Sequence, residues 1–323
     1  METAANKGWV YRDRVPGEAS GQTVLDFYTE RYTHSSRETW RAHMAAGRVL
    51  LDGTPAAGDE PLAAGQHLEY HRAGWREPEA PAEAATLHAD EHLLAVAKPS
   101  GLPVLPGGGY LEHTLLAVVR RRYADRPAPV HRLGRATSGV VLFARSDMAR
   151  RELSRQFAVG RLRKRYLALV TGADLPDRFE VSNPIGPVPY RPLGTLHAAS
   201  PAGKASLSRV RVVERRLDGE GPGCALVEVE IPTGRPHQIR IHLAAAGYPL
   251  VGDRLYAPGG MPHPPGDGPD PPLPGDGGYH LHAASATFAH PADGRCLTIY
   301  CRPPAVLRPA APGAADGVGP APC

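Results

Sequence analysis

Two side chains far apart in the sequence, Tyr166 and Arg240, lie in short runs crowded with groups that handle anions and flat rings. The runs are VHRLGRATSG from Val130 to Gly139, RKRYLALV from Arg163 to Val170, and TGRPHQIRIH from Thr233 to His242, the last followed by Gly252-Asp253-Arg254-Leu255-Tyr256. Arginine offers a planar fork that bonds phosphate oxygens in pairs, and tyrosine offers a stacking face that ends in a hydroxyl. Placed on strand ends and turns, His131, Arg132, Arg135, Lys164, Arg235 and His237 suit an anionic, aromatic substrate. Other chemistries fit less well. His237, His242, His280 and His282 lack an acidic or cysteine partner at ligand spacing, so no metal is expected. Ser138 has no G-x-S-x-G elbow around it, and its hydroxyl is expected to cap or hold a turn.

Those runs need elements to hold them. Val140–Ala144 reads as a buried strand. Ser146 then caps a helix on which Ala149, Leu153 and Phe157 form a stripe, with Arg150, Arg151 and Arg155 turned away from it. Eight Arg or Lys fall between Arg145 and Tyr166 against Asp147 and Glu152, an excess that can neutralise several phosphates or simply be solvated. Residues 166–170, 207–213, 225–231 and 284–288 read as strands, as does the hairpin of 86–88 with 93–97; residues 115–123 and 238–246 read as helices. Strands outnumber helices without regular alternation, which predicts an α+β fold with a mixed, mostly antiparallel sheet.

Upstream, Thr23 caps one helix, and Ser35 with Glu38 forms the capping box of a second that carries Trp40 and ends at Gly47. A strand, the Asp52-Gly53 turn and a strand near Leu68–His71 complete a small α/β module. Trp40 is expected in its core. Arg37 and Arg41, one turn apart, form a ridge for a polyanion or a plain solvated face. The predicted organisation is a flexible arm (1–14), the module (15–72), a Pro/Glu/Ala-rich linker (73–85), the main domain (86–305) and a disordered tail (306–323). The chain has 323 residues and a formal net charge of +4, which alone proves no polyanionic partner. Four cysteines without a close CxxC pair suggest neither a zinc knuckle nor a disulfide framework, and no apolar run approaches a membrane span or a signal sequence. A cytoplasmic monomer is the default expectation.

The order and spacing of the runs resemble the RluA-type RNA pseudouridine synthases from about Thr86 to Pro304. That family carries H-R-L-D…T-S-G, then K-x-Y-x-A, then G-R-x-H-Q-[IL]-R-x-H and G-D-x-x-Y. The front module resembles a small RNA-binding domain first seen in a ribosomal protein. The resemblance implies isomerisation of a flipped-out uridine in ribosomal or transfer RNA without cofactor or metal. Tyr166 would be the active-site tyrosine and Arg240 the basic partner of a catalytic aspartate, but where the family has that aspartate this chain has Gly134. Three readings of Gly134 stand open: a carboxylate from elsewhere, with Asp253 nearest although it more simply holds a turn; RNA binding without modification; or a different reaction. Arg240 is expected to face the cleft unpaired.

Overall fold

A computed structural model describes residues 5–217, 223–264 and 271–310. The chain divides into two units, Met1–Glu77 and Pro78–Cys323, a boundary inside the span expected to be a linker.

In the first unit β1 (Trp9–Arg14), α1 (Val24–Arg31), α2 (Arg37–Ala45), β2 (Val49–Leu51), β3 (Thr54–Pro55) and β4 (His67–Arg72) form a four-stranded sheet in the order β1-β4-β2-β3, with two helices on it. The Thr23 hydroxyl accepts from the Asp26 N–H, as expected of a cap. The second cap is Ser36 rather than Ser35; its hydroxyl accepts from the Thr39 N–H, and Ser35 lies one residue too early to reach the first turn. Residues 9–14 are a strand rather than a flexible arm. They pair antiparallel with β4 along their whole length, and Tyr11 stacks on Tyr70, a cross-strand contact that terminal position alone conceals. Trp40 is core as expected, packed with Val24, Phe27, Tyr28, Met44 and Leu68.

The second unit carries β5 (Ala85–Ala89), β6 (Leu93–Lys98), α3 (Leu115–Arg122), β7 (Ala128–Pro129), β8 (Ser138–Ala144), α4 (Asp147–Ala158), β9 (Arg163–Thr171), β10 (Arg178–Val181), β11 (Ile185–Tyr190), β12 (Gly194–Ala199), β13 (Ser208–Arg216), β14 (Cys224–Glu230), α5 (Gln238–Ala245), β15 (Leu281–Ala289) and β16 (Cys296–Tyr300). Among the described residues the main sheet runs β10-β13-β14-β9-β15-β8-β6-β5, with β16 on β15 and β7 on β8. The β15–β8 pair is parallel and its other neighbours are antiparallel, the mixed α+β sheet that the pattern predicts. Where β8 meets β15, Gly139 has φ +115°, and a Cβ there would lie 2.2 Å from the Ala283 carbonyl oxygen, so only glycine permits that crossing. Leu133, Val141, Tyr166, Val229, Ile239 and Tyr279 share the large core cluster. The strands β7, β10, β11, β12 and β16 are additions to the expected set. The tail reading fails for residues 306–310: Ala305–Leu307 forms a 3-10 turn, and Leu307 is buried against Leu167, Leu169 and Leu226. The rest of that span lies outside the described residues. Among the described residues no helix is long and apolar enough to cross a membrane.

Candidate active site

Arg240 stands in the first turn of helix α5, which is buried from Gln238 through Ala244. The loop before it is locked by Gln238, whose side-chain oxygen accepts from the Thr233 hydroxyl and the Arg235 N–H while its amide donates to the Leu207 carbonyl. Gly252, at φ +80°, passes so close to Gly278 that a Cβ would lie 2.2 Å from its carbonyl oxygen, and this approach seats Asp253 beside the helix. Arg240 Nε donates to Asp253 Oδ2 at 2.7 Å and Nη2 to Oδ1 at 2.8 Å, while Nη1 donates to the Pro274 carbonyl at 3.0 Å. Asp253 Oδ1 also accepts from the Leu255 N–H at 2.9 Å. The side chains are only 3% and 1% exposed. The unpaired Arg240 expected from Gly134 is therefore corrected: a bidentate carboxylate already satisfies the guanidinium, since two charges this deep must be paired. Burial alone opposes the charge, yet the Asp253 bonds outweigh it and hold the proton more firmly than usual. The guanidinium lies over the Tyr279 ring at 4.3 Å and the Tyr256 ring at 5.1 Å.

Gly134 opens toward this group. It is exposed, its φ is outside the left-handed region, and a Cβ would meet the Tyr279 hydroxyl at 3.2 Å and Thr137 Oγ1 at 3.4 Å. Its loop is pinned from below by Lys98, a buried residue that motif reading missed. Lys98 Nζ donates to the carbonyls of Pro99, Leu102 and Arg135, three acceptors for the three N–H bonds of an ammonium. Burial and the neighbouring Arg135 cation pull its pKa down to about 7. The Lys98-Pro99-Ser100-Gly101 turn was the available signal; Tyr279, a lone tyrosine after a Gly/Pro-rich span, offered none.

Tyr166 lies on β9 between β14 and β15, buried in the cluster that also holds Tyr279. Its hydroxyl has no hydrogen-bond partner among the described residues, and burial pushes its pKa up. Tyr279 belongs to the same large apolar cluster as Tyr166, and its ring lies under Arg240.

The remaining expected residues separate into two groups. Arg132 is exposed and close enough to His237 to help hold that ring neutral. His237 caps α5 at φ +54°, a left-handed conformation costing about 1–2 kcal/mol for a side-chain-bearing residue. Its Nδ1 lies 2.7 Å from the Tyr256 hydroxyl, which donates to the His197 carbonyl; Nδ1 is therefore the protonated nitrogen and Nε2 the acceptor. Burial first, then the Arg240 charge, pushes its pKa down to about 3. Arg135 reaches Gly275 O and the Tyr110 hydroxyl. Lys164 lies 5.3 Å from the Phe157 ring centroid and 3.4 Å from where a Cβ on Gly234 would stand, with its pKa lowered to about 8 by burial. Others do structural work here. His131 accepts from the Leu142 N–H and packs on Phe157, Arg235 donates to the Ala205 carbonyl, and Ser138 bonds His282 across the β8–β15 pair rather than capping a turn. In the front module Arg37 is paired with Asp26 and Arg41 is exposed.

Residues 92–245 match the family model described as RNA pseudouridylate synthase. The chain is 47% identical over 268 residues to an uncharacterized RNA pseudouridine synthase of Synechocystis sp., covering 83% of this chain and 89% of that protein. It is 38% identical to RNA pseudouridine synthase 5 of Arabidopsis thaliana over 86% of this chain and 88% of the relative. It is also 38% identical to the dual-specificity RNA pseudouridine synthase RluA of Escherichia coli, over 66% of this chain and 90% of the relative. Among solved structures, human RNA pseudouridylate synthase domain containing 1 aligns with a TM-score of 0.55 at 25% identity, over 72% of this chain and 89% of that one. With these relatives and the motifs around Tyr166 and Arg240, the chain belongs to the RluA-type RNA pseudouridine synthases, which isomerise uridine in RNA.

Proposed function

We propose that this chain converts uridine to pseudouridine in structured ribosomal or transfer RNA of the cytoplasm, on a nucleotide flipped out against Tyr166. In the net reaction the C1′–N1 bond breaks and a C1′–C5 bond forms; the proton on C5 is lost and N1 ends protonated. Nothing is oxidised and no group is donated, so the reaction needs no cofactor. The observation that carries this reading is Tyr166, a buried residue whose hydroxyl is not bonded among the described residues, in one core cluster with Tyr279, whose ring lies under Arg240. Such a wall suits a uracil face, and extrusion is required because the sugar and base cannot turn within a stack. Charge developing at C1′ calls for a carboxylate, and in this reading Asp253 supplies it by yielding part of Arg240 to the substrate.

Binding without isomerisation is favoured by one separate observation: both Asp253 oxygens are bonded to Arg240, and Gly134 bears no side chain. A mixed pool of unmodified ribosomal and transfer RNA incubated with pure protein and digested to nucleosides decides between them. Pseudouridine should accumulate with the native chain and more slowly with Tyr166→Phe. With Asp253→Asn it should fall by about 10⁴–10⁶, the usual loss on removing a reacting group. Product only from Gly134→Asp would mean a cleft that binds without reacting.

A further inference from the structure

Outside the synthase site, the front module contains a cavity of about 430 Å³ between α1, α2 and the β1–β4 pair. That volume falls within the ~300–1,000 Å³ range of small-ligand sites. Its walls are mostly aromatic: Tyr11 stacks on Tyr70 at 6.0 Å and 14°, Trp40 meets Tyr70 edge-on at 5.0 Å, and Tyr28 meets Trp40 at 4.7 Å. Two polar atoms of those walls, the Tyr28 hydroxyl and the Trp40 indole N–H, are buried without a hydrogen-bond partner. Tyr28 and Trp40 are 1% and 2% exposed. Buried donors are rarely left unsatisfied unless something else meets them. Two cations also line the cavity. Arg48 is half-buried and makes no ion pair among the described residues, and Arg72 lies 3.7 Å over the Trp75 ring.

An aromatic box of this kind can hold a quaternary ammonium or a nucleobase. Charge separates the two. The acid on the wall, Asp13, already accepts from the Tyr32 hydroxyl, while two arginines border the space. A cation would be repelled; a flat ring attached to a phosphate would be held at both ends. We infer that this cavity is a base-capture site for one unpaired RNA nucleotide, its ring between Tyr11 and the Tyr28–Trp40 wall and its phosphate at Arg48 and Arg72. The site is separate from the residues that would isomerise uridine, and it gives the module a way to choose single-stranded or bulged RNA.

The test uses the full chain and a short single-stranded RNA that lacks uridine and carries one 2-aminopurine, so the synthase reaction cannot contribute. Stacking should quench the fluorophore on binding. Tyr11→Ala and Arg48→Ala, at positions outside the packed core, should each weaken affinity about tenfold or more, the size of one base–aromatic stack. Tyr300→Phe, at an exposed position belonging to neither site, should bind the probe like the native chain, and near-ultraviolet circular dichroism should confirm that each variant is folded. Unchanged quenching and affinity in both module variants would overturn the inference. So would quenching reversed by a quaternary ammonium ion but not by a mononucleotide.

Discussion

Lys164 illustrates how one residue's setting changes what it can contribute. Burial lowers its pKa to about 8, so its charge fades within an accessible pH range, whereas arginine would keep its charge throughout. If Lys164 contacts phosphate, RNA affinity falls as pH rises through about 8 and the proton leaves. Lys164→Arg should flatten that fall, and filter-binding titrations at fixed salt would show it; an identical slope in both proteins would remove Lys164 from the interface. At this scale the sequence was partly legible. Motifs of fixed short spacing made Tyr166, Arg240 and His237 candidates, because a turn or a helix start dictates such spacing. The bidentate bond between Arg240 and Asp253 was not readable, since it depends on Gly252 passing close against Gly278, two residues far apart in the chain. Nor was the hydroxyl of Tyr279 beside Gly134, which follows from where β15 enters the sheet.

Helix α4 was the clearest element in the sequence, with Ser146 capping through the Ala149 N–H and the apolar stripe turned inward, while β9 starts at Arg163, three residues before the strand expected from Tyr166. Their basic face is less free than its composition implies. Arg145 is paired with Asp125, Arg150 with Asp147 and Arg155 with Glu152, while Arg151, Arg161 and Arg163 remain exposed. Replacing those three by glutamine should therefore make the slope of log affinity against log salt shallower, by about one for each phosphate that is no longer neutralised. The same change at the paired arginines should do little, and a flat salt response in the native chain would exclude the face altogether. The hairpin β11–β12 escaped sequence reading for a definite reason. Ile185–Tyr190 reads I-G-P-V-P-Y, and its two prolines disguise a strand; they are tolerated because, among the described residues, β12 is the one strand that β11 pairs with, outside the main sheet.

For the molecule as a whole, two units with separate cores were foreseeable from the Pro-rich span near residue 77 and from the change in pattern across it. The aromatic cavity was not, because its walls come from β1, α1, α2 and β4 at irregular intervals. Separate cores predict separate failure. Trp40→Ala should cost the front unit about 3–5 kcal/mol, and limited proteolysis should then cut within residues 1–77 while the synthase unit resists. Simultaneous digestion of both units would show that their stabilities are linked. The position of β15 bears on how the second unit assembles. This late strand fills the slot between β9 and β8, parallel to one and antiparallel to the other. While the nascent chain emerges from the ribosome, those two strands exist first, each with an open rim of N–H and C=O groups and nothing to fill the gap. Closure waits for a segment made much later, so the half-built sheet is exposed to misassociation and folds slowly. Chaperone dependence during synthesis is the natural companion of a centre that arrives near the end.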